Sequence, residues 1–122
     1  MKGLCILLFL VALLIGATVG NCIYINEVSD RLLLQIDSIP HPSSEDCEAH
    51  IAALIEYWEE RFSTVCLSVS YTVADRISEH ARTLFSAARI GDLYGFYQSL
   101  TLLRDAVEDM RRMETLSVVS LL

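Results

Sequence analysis

Lysine is almost missing from this chain of 122 residues. Lys2 is the only one, and nine basic side chains face sixteen acidic ones for a formal charge of −7. Nucleic acid is bound through a surplus of cations that neutralise its phosphates, so a nucleic-acid partner is excluded. Cysteine is present four times, at 5, 22, 47 and 66, without the paired spacing that zinc sites require. No glycine-flanked nucleophile motif surrounds any serine. There is no internal repeat and no low-complexity run, and the two prolines fall together at 40 and 42. Neither an enzyme nor a bound cofactor is expected.

What the chain has in excess is apolar side chains. They make up 53% of it, with a mean hydropathy of +0.44, high for a water-soluble domain. The excess is concentrated at the front. From Gly3 to Ile25 no side chain is charged, and at about 1.5 Å per residue this stretch is long enough to cross a hydrocarbon layer about 30 Å thick. The division expected is a membrane anchor over 1–26 and a helical domain over 27–122. Lipid is then the first partner, met through the N-terminal helix. Lys2 and the amino terminus precede the stretch, while Glu27, Asp30 and Arg31 follow it. The positive-inside tendency therefore predicts a single pass through the cell membrane, N-terminus in the cytoplasm and the rest outside.

A cleaved signal peptide is the alternative, with Leu4–Ile15 as its apolar core and Thr18, Val19 and Gly20 as the cleavage site. Against it, Cys22, Ile23, Tyr24 and Ile25 prolong the apolar run past that site. A lipidated Cys22 is disfavoured by Asn21, where processing prefers Gly or Ala.

The apolar positions Val28, Leu32, Ile36 and Ile39 recur at helical spacing, so the first helix continues beyond the anchor until Pro40 and Pro42 stop it. A second helix is expected to open at Ser43 or Ser44, with Glu45, Asp46 and Glu48 suiting its positive end. Its stripe is Cys47, Ile51, Leu54, Ile55, Trp58, Phe62, Val65 and Val69. The β-branched and hydroxyl-rich run Ser68–Thr72 predicts a turn. A third helix follows from about Val73 to Arg89, with Val73, Ile77, Ala81, Leu84, Phe85 and Ala88 on one side. Gly91 ends it and Asp92 caps the next. The fourth carries Phe96, Leu100, Leu103, Val107 and Met110 as a heptad-like seam. The fold class predicted is all-α, an N-terminal transmembrane helix continuing into a small antiparallel bundle of about four helices. Cys47 and Cys66, some 28 Å apart on one helix, cannot be bridged within the chain. A bridge between chains stays open.

Several groupings invite a chemical reading. Cys47 and His50, with His41 nearby, include zinc-type ligands, yet a metal needs three or four that converge; no metal is expected. His80 with Asp75 and Glu79, and the acidic run Glu56, Glu59 and Glu60, read better as solvated helix faces. The aromatics Tyr57, Trp58, Phe62, Tyr94, Phe96 and Tyr97 either pack the core or line a pocket. Arg104, Arg111 and Arg112 make the last helix locally basic against an acidic second helix, a polarity suited either to docking or to pairing inside the bundle. The expected partner-contact residues are Trp58, Tyr94, Tyr97, Arg104, Arg111 and Arg112. The apolar tail Leu116–Leu122 either folds back on the bundle or meets a partner.

Tyr24-Ile25-Asn26, Ser29, Leu32, Leu33, Asp37, Trp58, Asp92 with Phe96, and the terminal Glu114, Leu116, Ser117, Leu121 and Leu122 stand in an order that resembles a bacterial family called domain of unknown function 4363. The likeness runs through nearly the whole chain and brings no assigned activity. It implies a small single-span helical protein whose gene lies beside one for a YetF-like multi-spanning membrane protein, hence such a partner, or self-association. The chain departs from the family in having Tyr71 where a His is common after the Trp helix, and in its want of lysine. A non-enzymatic accessory or scaffold subunit is the expected role. An extracytoplasmic ligand-binding bundle is the alternative, and an envelope enzyme comes last.

Overall fold

The computed structural model describes residues 1–121. It contains four helices and, among the described residues, no strand: α1 Lys2–Asp37, α2 Cys47–Val65, α3 Tyr71–Ile90 and α4 Leu93–Leu121. The architecture is an up-down bundle. α1 and α3 each pack on both α2 and α4, while the pairs α1/α3 and α2/α4 lie diagonally opposite without close approach. The most extensive packing joins α3 to α4. Ala74, Ala81, Ala87 and Ala88 are buried on α3, and such short side chains let two helix axes come close.

The stripes read from the sequence are the ones that turn inward. Ile25, Val28, Leu32 and Ile36 bring α1 into the core, with Ile39 half-buried at its end. Cys47, Ile51, Leu54, Trp58, Val65 and Val69 do so for α2 and its exit, and Ile77 and Leu84 for α3. Phe96, Leu103, Val107 and Met110 complete it from α4, with Leu100 partly covered. Before Ile25 nothing on α1 is buried, and Leu4 to Ile23 present an uncharged surface that is apolar apart from Thr18 and Asn21. One unbroken helix thus changes from a free-standing rod to a packed member of the bundle within its length.

Helix ends follow local chemistry, and two differ from expectation. α2 begins at Cys47, after both Ser43 and Ser44. The Ser44 hydroxyl accepts from the Asp46 amide at 3.4 Å and its carbonyl from the Cys47 amide at 3.2 Å, so the capping serine organises a turn that precedes the helix. α3 begins at Tyr71, within the run expected as a turn, because Ser70 caps it by accepting from the Val73 amide at 3.4 Å. Hydroxyl residues that weaken a helix interior are here used at its start. At the other end Gly91 has φ 76, a left-handed conformation open to glycine at little cost. Asp92 then caps α4 by accepting from the Gly95 amide at 3.0 Å.

Cys47 stands at the first turn of α2 and Cys66 just past its last. Both are free thiols.

Candidate functional site

Trp58 is the clearest correction. It lies on the apolar stripe of α2 and is 0% exposed, so it touches no partner. Its indole Nε1 donates to Ser78 Oγ on α3 at 2.8 Å, and its ring meets Phe62 edge-to-face at 6.0 Å. This is the usual compromise for a buried Trp, a large apolar body with its one polar hydrogen satisfied. The spacing that placed Trp58 among core residues was sufficient to assign it inward.

The arginines of α4 are engaged inside the molecule. Arg104 pairs with Asp37 and Arg111 with Asp30 at 2.6 Å, both across the α1–α4 seam. Arg112 pairs with Asp109 on its own helix at 3.0 Å. The basic face of α4 is therefore neutralised by α1 and by Asp109 of α4 itself; the acidic second helix lies diagonally away and takes no part. All three pairs remain partly exposed, where ion pairs contribute little.

The aromatic grouping divides. Tyr57, on α2, covers the α1 side with Tyr24, Glu27 and Arg31, and the Arg61 guanidinium stacks 3.7 Å over its ring. Burial pushes the Tyr57 phenol up, an effect reduced by the Arg61 and Arg31 charges. Phe96 turns inward from α4, whereas Tyr94 is 79% and Tyr97 45% exposed. Tyr97 meets Phe96 edge-to-face at 5.2 Å and faces His41 at 6.5 Å. With Leu93, Gln98, Thr101 and Leu102, these two tyrosines form a shallow apolar depression open to solvent at the end of the bundle far from the rod. It is a surface suited to contact and too open to enclose a small molecule.

The zinc-type residues singled out in the sequence lie apart. Cys47 is buried, with burial and the nearby Glu48 charge both pushing its thiol up, so it is held as a neutral packing group. His50 is exposed on the α2 surface. His41 Nδ1 accepts from the Ser43 amide at 3.1 Å and lies 2.7 Å from the Ser43 hydroxyl. Among the described residues no three His, Cys, Asp or Glu side chains converge on a point. Glu56, Glu59 and Glu60 border an open depression beside Phe85 and Ile55, and Arg82 reaches Glu59 at 3.8 Å.

One buried acid escaped the sequence reading as a site residue. Glu114 is buried near the end of α4, and burial pushes its carboxyl above the usual range. On the facing stretch of α1, Ser29 Oγ and Asn26 Oδ1 are buried without hydrogen-bond partners. The tail beyond Glu114 continues as helix to Leu121 with Leu116 and Val119 exposed; Leu122 lies outside the described residues.

Comparison with protein-family models, with curated proteins and with solved structures gives no match for this chain.

Proposed function

We propose that this chain is a single-pass membrane protein whose helical bundle, held outside the cell membrane by α1, serves as a non-enzymatic accessory or scaffold subunit for a multi-spanning membrane protein. The observation that carries this reading is the division of exposed apolar surface. Leu4 to Ile23 on α1 form a rod of about 30 Å with no buried neighbour, matching a hydrocarbon layer. A second, smaller apolar surface, Leu93, Tyr94, Tyr97 and Leu102, stands at the far end of the bundle. Tyrosine combines large contact area with few rotatable bonds and is among the side chains enriched in protein contacts. The resemblance to domain of unknown function 4363, and the YetF-like partner that it would imply, belong to the same reading. Lys2 before the rod and Glu27 and Asp30 after it favour the N-terminus inside.

The test is crosslinking in intact membranes followed by purification in mild detergent, with wild type beside the Tyr94→Glu/Tyr97→Glu variant. A defined neighbour bound by wild type and lost from the variant is the expected result. A wild-type protein that emerges alone and monodisperse overturns the accessory role.

A further inference from the structure

The ion pairs Asp37–Arg104 and Asp30–Arg111 advance along α1 and α4 by the same seven residues in opposite directions. The two helices are therefore antiparallel in constant register over about two turns. Continued one turn further, this register brings Glu27 level with Glu114, and the stretch 20–25 of α1 level with 116–121 of α4. Glu27 is the first charged side chain after the rod, and Glu114 is the last charged side chain in the chain. Charge stops at one plane on both helices.

The remaining elements at that end conform. The cleft lined by Tyr24, Glu27, Arg31, Tyr57 and Arg61 sets Arg61 of α2 beside the same stretch of α1. Beyond Arg61, residues 62–74 form the end of α2, the turn and the start of α3, and carry no charge. Leu67 at the tip of that turn is 85% exposed, and Tyr71 is exposed beside it. At the opposite end of the bundle the connections carry His41, Glu45, Asp46 and Asp92, and the last turn of α3 carries Arg89. Both ends expose apolar side chains, but the distal end is charged and the end from which the rod emerges is not.

We infer that this whole end of the bundle is a second lipid-binding element: the α2–α3 turn through Leu67 and Tyr71, and the end of α4 through Leu116 and Val119, bed into the interfacial layer of the same membrane that α1 crosses. The inference rests on the membrane reading of α1. The occupant is lipid because the surface is continuous with the rod and shares its plane. Apolar side chains inserted at the head-group boundary gain by leaving water, and a tyrosine finds there both an apolar and a wet neighbour. The lack of charge on α4 after Glu114 then suits its depth at the head-group boundary.

Full-length protein reconstituted in phosphatidylcholine vesicles tests this, using chain-brominated lipids as quenchers. Trp58 is buried and serves as the background in wild type. The added fluorescence of Leu67→Trp, and independently of Val119→Trp, should be blue-shifted and lose at least half its intensity in brominated vesicles. Ile90→Trp, at the polar end, should be unaffected. All three positions are exposed, so helical content read by circular dichroism should match wild type. If Leu67→Trp and Val119→Trp are quenched no more than Ile90→Trp while the protein stays with vesicles through a carbonate wash, the bundle end does not bed in lipid and the anchor reading stands. If the wash strips the protein from vesicles, both readings fall.

Discussion

The indole of Trp58 donates its only polar hydrogen to Ser78 across 2.8 Å, between two helices and out of reach of water. Removing the acceptor while keeping the donor leaves an unpaired buried N–H. Ser78→Ala should therefore cost about 1–3 kcal/mol of unfolding free energy. The measurement is urea unfolding followed by Trp58 emission. An unchanged midpoint would show that the bond contributes nothing net.

The pair Arg111–Asp30 ties α4 to α1 with both side chains about half exposed. Exposed ion pairs contribute little, so a double-mutant cycle of Arg111→Ala and Asp30→Ala should give a coupling of about 0.2–1 kcal/mol. Molar salt should reduce it. A coupling above that range, insensitive to salt, would indicate a pair far better shielded than its exposure implies.

Glu114 is an acid whose burial favours the protonated form, raising its folded pKa above the unfolded value. The folded state therefore holds the proton more tightly, and stability declines as pH rises through the unfolded pKa towards the folded one. Glu114→Gln should be more stable than wild type at neutral pH, and the two should converge in acid below the unfolded value. Thermal unfolding at several pH values checks the sign. A Gln variant less stable at neutral pH would mean that the ionised carboxylate is the form the fold uses.

Thiol chemistry reports topology. Cys47 is 1% exposed and its thiol is held up by burial, so it should resist maleimide until the protein unfolds. Ile90→Cys places a thiol on the exposed polar end. A membrane-impermeant maleimide should label Ile90→Cys in intact cells, above the wild-type background. Labelling only after permeabilisation would reverse the orientation.

Much of this arrangement was legible in the sequence because burial and helical period act together. Each helix was marked by its own stripe, and the stripes are the core. What was not legible was which neighbour each exposed group finds. Arg104 and Arg111 were read against the acidic second helix, yet they meet Asp37 and Asp30 of α1, since packing sets α2 diagonally opposite. A signal was available: both the aspartates and the arginines stand seven residues apart, as two facing helices require. Trp58 stands both on the apolar stripe and among the expected partner contacts, and its place between Leu54 and Val65 on that stripe is the signal that decides for the interior. Ser78 had no such signal, because a single serine on a helix is silent until its partner is known. The start of α2 was displaced because a serine can cap a turn as readily as a helix.

The absence of any break in α1 between its bare half and its packed half has a mechanical meaning. No proline or glycine interrupts it from Asn21 to Asp37, so, on the proposed membrane reading, a change in how the rod leans within the bilayer is passed along a continuous helix to the bundle. From Ile25 to Asp37, about 18 Å along the helix, a lean of roughly 20° carries the distal tip sideways by about 6 Å. Tyr94 and Tyr97 ride near that tip, so a thicker or thinner bilayer would sweep their surface towards or away from whatever stands beside it.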